Sequence, residues 1–474
     1  MSLESFDLIV IGGGPGGHAV AEEAARHGAR VAIIERNGWG GTCTHRGCIP
    51  TKALLACSGH YAALKKLSRM GVATGAAASA PLSLTLELGP GSDDWLATLP
   101  AGEPFWYQAQ PAPGIFRLGI GHALLVSSAG PNRFAALDNA FSGLASAWRH
   151  NAAPLAFCGF AFDDTSQAPL PNSVLAIPAI LLESSDGRCR ATLSTTAGKL
   201  AQAVAGWRLL LSSPAGHAGI RLRPAHEPAL ADRAWIARVR AALRDIERGQ
   251  VDKIVLARSR HLEAAAPVSS GPLLAALIEQ QPEAMIYACS NGQATFLGAT
   301  PERLVRLAGC HLETDALAGT AWPGSLALDA PKNRHEQALV TRAIVTALEK
   351  CCAEPPLAGP VEIHAAGRIS HLRSRISGIA LPGTSLLDLV RALHPTPAVG
   401  GFPRAAAANW LANHGESRSG WYSGGFGTLA ANGDGEIHVA LRSALISGTS
   451  IELQAGAGIV AGSDPGLELA ETNA

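Results

Sequence analysis

From residue 82 to residue 474, short β-like apolar runs take turns with amphipathic helical runs, and no fixed period links them. That irregular alternation constrains the fold more than any other feature. Regular βαβ spacing would give a parallel sheet, and a constant period would give a repeat architecture. What is left is an α+β arrangement, with mainly antiparallel sheets packed with helices. The pattern predicts a strand over Asp252–Ser259 (DKIVLARS), a helix over Asn333–Leu348 (NRHEQALVTRAIVTAL) and a strand over Glu436–Ile446 (EIHVALRSALI).

The small-residue stretch Gly71–Pro81 (GVATGAAASAP) is the best linker in the chain, and it divides the sequence into residues 1–75 and 76–474. With 47% apolar and only 16% charged residues, the 474-residue chain can bury a large core and is not a disordered protein. Its 38 basic and 38 acidic residues cancel, which leaves no charge argument for nucleic acid or an anionic membrane as partner. The N-terminus has no basic region or small-residue cleavage site, and no apolar run reaches the ~18 residues of a membrane span. The nine cysteines are scattered. A protein of the reducing cytoplasm is expected, working on a small molecule as a monomer or weak homo-oligomer.

In the first segment, the strand Asp7–Ile11 runs into Gly12-Gly13-Gly14-Pro15-Gly16-Gly17, followed by a helical stretch and a second strand ending at Glu35. Gly12, Gly14 and Gly17 would let the backbone approach a pyrophosphate at a helix N-terminus, and Glu35 would accept from a ribose hydroxyl. Next comes GGTCTHRGCIPTK, residues 40–52. It resembles the redox motif of the pyridine-nucleotide disulfide oxidoreductases. The resemblance implies that Cys43 exchanges with substrate and Cys48 contacts FAD. After residue 75, however, the sequence shows no second G-x-G-x-x-G and no C-terminal His/Glu pair. One βαβ unit would leave much of a flavin ring in water. The segment therefore reads as a partial Rossmann-like appendage without reductase activity, and a flavin-dependent disulfide oxidoreductase is the alternative.

Eight stretches carry the reading of the second segment: VDKIVLARS (251–259), FLGATPERLV (296–305), ALAGTAWPG (316–324), KNRHEQALV (332–340), LHPTPAVGGFPR (393–404), GWYSGGFG (420–427), EIHVALRSALI (436–446) and AGAGIVAGSDP (455–465). In this order they resemble the chorismate-utilising enzymes, and among these the isochorismate synthases of menaquinone and siderophore pathways. The resemblance implies a chorismate-binding-enzyme domain, chorismate as substrate and Mg²⁺ as cofactor. Lys253 would be the base that activates water. A free lysine has a pKa of ~10.4, so burial or nearby cations must lower it. Glu302 would be the general acid and must stay protonated. Arg442 matches the arginine that grips a substrate carboxylate, a task suited to a bidentate fork. Gly319 and Thr320, His371, Tyr422, Gly456 and Gly458 match pocket positions.

For the metal, the resemblance implies Glu336 and Glu471 as direct ligands, with Glu468 bonded directly or through water. The spacing of the last two places them on one helical face. Family members with water as nucleophile carry lysine at position 253, whereas ammonia-using members carry glutamine. Ala318 stands where aminodeoxychorismate synthases have lysine. Salicylate synthase and an inactive fusion remain alternatives. Asn333 and Gln337 replace the acid and histidine common on the metal helix, which predicts weaker metal binding. The helix bearing Glu471 is expected to fray, ending so near Ala474.

Overall fold

A computed structural model of the chain describes residues 6–11, 15–34, 81–90, 95–100, 102–166, 169–210, 222–225, 228–321, 328, 331–366 and 369–473. Within these, Leu8–Ile11 and Val31–Ile34 form a parallel pair joined by the helix Pro15–Arg26, which contains Gly17. This is the expected βαβ unit. Among the described residues Ile9, Ile11 and Ile34 on its strands are exposed, although a parallel sheet ordinarily has both faces covered. Gly12, Gly14, Glu35, Cys43 and Cys48 lie outside the described residues.

Two large sheets make up the rest. The first has thirteen strands and runs from Leu222–Pro224 through Lys253–Ala264, Ser450–Val460, Ser443–Ser447, Ala294–Thr300, Met285–Asn291, Pro104–Gln110, Ile115–Ile120, Ile180–Ser185, Arg188–Thr196 and Pro81–Pro90 to Arg149–His150. The short strand Gly401–Phe402 joins it beside Lys253–Ala264. The second has ten strands and runs from Leu357–Ala358 through Ile369–Ile379, His311–Ala321, Arg303–Ala308, Gly435–Val439, Gly425–Ala430, Leu155–Phe160 and Ser173–Ile177 to Leu124–Ser128, with Glu362–Ala366 beside Ile369–Ile379. Every pairing in the two sheets is antiparallel except that of Pro81–Pro90 with Arg149–His150.

Aromatic side chains join the sheets. Trp106 stacks on Phe157 and Trp421 with ring centroids 5.5 and 5.6 Å away, and Tyr287 stacks on Phe426 at 5.1 Å. Gly159 makes room for this cluster, since a Cβ there would overlap the Trp421 ring. Helices cover the outer faces. Pro331–Leu348 begins with proline, which suits the first helical turn, and buries Val340, Ile344 and Leu348 at a spacing of four. The same spacing turns Glu336, one turn earlier, to the packed side. The helices Pro228–Glu247 and Arg404–Asn413 bury Trp235, Val239, Trp410 and Leu411 against Ile254 and Leu256. Alternation along the strand then sends Lys253 and Val255 to the opposite face.

The sequence pattern over Glu436–Ile446 predicts one strand, and the structure has two. Gly435–Val439 belongs to the ten-stranded sheet and Ser443–Ser447 to the thirteen-stranded one. Residues 440–442 carry the chain from one sheet to the other. Arg442 turns it with a left-handed φ of 51°, a conformation that strains a residue with a Cβ. The helix expected from Asn333 starts at Pro331, and the strand expected over Asp252–Ser259 spans Lys253–Ala264.

Candidate active site

The site forms where the chain changes sheets twice. Ala294–Thr300 lies in the larger sheet and Arg303–Ala308 in the smaller, so Glu302 sits on one crossover. The other crossover holds Arg442. The two run side by side: Val439 N donates to Glu302 O at 3.0 Å, and Ala299 N donates to Arg442 O at 3.4 Å.

Lys253 is 1% exposed and Glu302 5%. Burial pushes the Glu302 carboxyl up to about 8; the Lys253 charge pulls it back, and the Asp315 carboxylate adds to the rise. At neutral pH Glu302 is thus a proton donor within electrostatic reach of an amine. Asp315 is itself buried and accepts from Arg303 Nε at 3.4 Å. The motif reading missed it, although an acid inside the apolar alternation LETDALA signals a buried charge.

Lys253 Nζ meets Glu336 Oε1 at 2.6 Å. Gly458, on the neighbouring strand, allows this approach, because a Cβ there would lie 2.9 Å from Lys253 Cε and 3.0 Å from Glu336 Oε1. Gly456 leaves the same kind of room for the Tyr422 hydroxyl. Burial raises the Tyr422 phenol above its ordinary range.

A second group gathers at the end of the His311–Ala321 strand. Gly319 bulges the ladder with φ 67°, and Thr320 pairs with His371 across it. Such bulges re-aim neighbouring groups. His371 Nδ1 donates to Gly319 O at 3.2 Å, and Nε2 faces Arg442 Nη2 at 3.2 Å. Burial and the Arg442 charge lower the His371 pKa to about 4. The ring is therefore neutral, with its proton on Nδ1 and its free lone pair directed at Arg442.

The acidic residues on the last helix, Pro465–Asn473, differ in setting. Glu468 is 4% exposed, while Glu471 is exposed. The helix packs on the Ser450–Val460 strand, whose Gly458 touches Glu336. Among the described residues no group of three or more His, Cys, Asp or Glu side chains converges. Glu336 and Glu468 are both buried, and Glu336 Oε1 is engaged by Lys253; carboxylate oxygens are the kind of donor Mg²⁺ takes, with water and substrate oxygens filling its shell.

A buried amine within electrostatic reach of a buried carboxyl, with Arg442 held by His371, marks the candidate site. A family model described as chorismate binding enzyme matches residues 83–474, and the chain belongs to that family. A pyridine nucleotide-disulphide oxidoreductase model matches residues 6–90. The chain is 38% identical over 250 residues to the salicylate biosynthesis isochorismate synthase of Pseudomonas aeruginosa, covering 51% of this chain and 52% of the relative. It is 33% identical over 249 residues to the isochorismate synthase MenF of Bacillus subtilis, covering 50% and 53%. These matches span about half the length of each relative. The solved structure of MenF, the menaquinone-specific isochorismate synthase from Escherichia coli, superposes with a TM-score of 0.72 at 25% identity, covering 87% of this chain and 97% of that one. Anthranilate synthase component I from Streptococcus pneumoniae shares the fold, with a TM-score of 0.63 at 18% identity and coverage of 76% and 90%. Among the described residues, no helix is long and apolar enough to cross a membrane.

Proposed function

We propose that this chain isomerises chorismate to isochorismate. Water adds at C2, the C4 hydroxyl leaves, and the ring double bonds shift. Lys253 Nζ, as the free amine, takes the proton from the attacking water on one side of the ring. Glu302 gives its proton to the departing hydroxyl on the other side, so the reaction returns one water for the one consumed. Arg442, steadied by the neutral His371, holds a substrate carboxylate through its fork. The backbone at Gly319, Gly456 and Gly458 leaves room for the ring, beside Thr320 and Tyr422. Mg²⁺, held by Glu336 and Glu471 with Glu468 bound directly or through water, would supply positive charge for a substrate carboxylate.

The observation that carries this reading is a buried amine within electrostatic reach of a buried, protonated carboxyl inside a chorismate-binding fold. The names of the relatives from Pseudomonas aeruginosa and Bacillus subtilis support it. The N-terminal βαβ unit is proposed as an appendage without reductase activity, and purified protein lacking flavin colour would agree with that.

The test is chorismate plus Mg²⁺, with products separated by chromatography. Wild type should yield isochorismate, while Lys253→Ala and Glu302→Gln should each lose about 10²–10⁴-fold in kcat, the usual contribution of a general acid or base. Equal rates in all three proteins would refute the assignment, and salicylate as the final product would shift it to a salicylate synthase.

A further inference from the structure

The strand that carries Lys253 has a gap along its outer edge. On the inner side it pairs continuously with Ser450–Val460, from Lys253↔Val460 to Glu263↔Ser450. On the outer side Gly401–Phe402 covers Lys253 and Ile254, and Leu222–Pro224 covers Leu262–Ala264. Val255 and Ala257 lie between these two short partners. A buried backbone group left unpaired is costly, and here four such groups point into the gap.

Side chains and one carbonyl fill it. Val255 N donates to Gly400 O at 3.1 Å, and Val255 O accepts from Arg418 Nη2 at 2.8 Å. Ala257 N donates to Glu416 Oε1 at 2.7 Å, and Ala257 O accepts from Arg238 Nη1 at 3.0 Å. Arg238 also bonds the second oxygen of Glu416. Arg418 donates through Nη1 to Val399 O at 2.8 Å, and its guanidinium lies 3.7 Å from the centre of the Phe162 ring. The side chains of Glu416 and Arg418 are only 4% and 2% exposed. Withdrawing ionised groups from water is expensive, and apolar packing would stabilise a strand edge as well or better. What the charged groups add is direction: each fixes one backbone atom within four residues of Lys253.

We propose that Glu416 and Arg418, braced by Arg238, are positioning residues for Lys253. They stand in for a missing strand and lock the register that sets the lysine opposite Val460, with its amine at Glu336. The proposal rests on Lys253 being the base of the reaction described above. A displacement of about 1 Å at a catalytic group costs on the order of 10²-fold in rate.

Two measurements on the full chain separate this proposal from the functional reading. The first is kcat and KM for chorismate with Mg²⁺. The second is the acetylation rate of Lys253, followed by mass spectrometry without substrate, which reports its burial whether or not the protein turns over chorismate. Glu416→Ala should lower kcat about 30-fold with KM within about threefold, and raise Lys253 labelling about tenfold. Glu416→Gln keeps the acceptor for Ala257 N but turns its NH2 toward Arg238, so it should recover both only in part, to within about tenfold of wild type in kcat and clearly above the alanine variant. If the alanine variant does not fold, Arg238→Met, at a half-buried position, should show the same kcat-selective loss at about fivefold. Wild-type kcat and labelling in Glu416→Ala would overturn the proposal, as would equal losses in the alanine and glutamine variants. A wild type that ignores chorismate while Glu416→Ala still exposes Lys253 would sink the functional reading and leave the clamp intact.

Discussion

Glu302 sets an alkaline limit on the site that can be worked out from its surroundings. Its carboxyl moves from an ordinary 4.5 to about 8, chiefly through burial, with the Lys253 charge opposing and the Asp315 charge assisting. A general acid works only while protonated. The limb that Glu302 governs should therefore fall about tenfold per pH unit above the Glu302 pKa. Asp315→Asn removes an assisting negative charge and should move that falling limb to lower pH. Stability carries the same sign. The folded chain holds the Glu302 proton more tightly than the unfolded chain, so this contribution is complete below pH 4.5 and is lost as pH rises through about 8. At ~1.4 kcal/mol per unit, the full difference is on the order of 5 kcal/mol. Glu302→Gln cannot ionise and should abolish the alkaline loss. The assay is kcat between about pH 6 and about pH 10 at constant ionic strength, with urea unfolding of wild type and Glu302→Gln at each pH. Coincident limbs for wild type and Asp315→Asn, or equal alkaline destabilisation of wild type and Glu302→Gln, would refute the reasoning.

Two other substitutions probe the geometry directly. Gly458→Ala places a methyl against Lys253 Cε and Glu336 Oε1; kcat should fall on the order of 10²-fold, while the midpoint of urea unfolding shifts little, because both neighbours are side-chain ends that can give way. Gly159→Ala drives a methyl into the Trp421 ring, which is pinned by its indole bond to Pro171 O and its stack on Trp106; unfolding should show a loss of about 1–3 kcal/mol or more, the range for overpacking a core.

The α+β class was legible in the irregular alternation of strands and helices, whereas Lys253, Glu302 and Glu336 were singled out by the family resemblance of their motifs, since a lone lysine or glutamate carries no such signal. The turn at Arg442 was not. The apolar alternation continues through EIHVALRSALI, and nothing local reports that its two halves pair with different sheets. Glu468 and Glu471 share a spacing that suits one face, yet only Glu468 is buried, since the packing of that helix on Ser450–Val460 decides which turn is covered. The clamp on Lys253 was equally hidden, because Glu416 acts on Ala257 across a separation in sequence that no periodicity records. His371 was expected only as a pocket residue. Its neutral ring, bridging Gly319 and Arg442, emerges once the bulge at Gly319 brings the three together.

The central claim is that Lys253 delivers a solvent water to C2 while Glu302 releases the oxygen at C4. Single-turnover conversion of chorismate in oxygen-18 water, analysed by mass spectrometry, tests it most directly. The expected product is isochorismate with one heavy oxygen in the C2 hydroxyl, absent in Lys253→Ala; isochorismate formed without heavy oxygen would contradict the assignment.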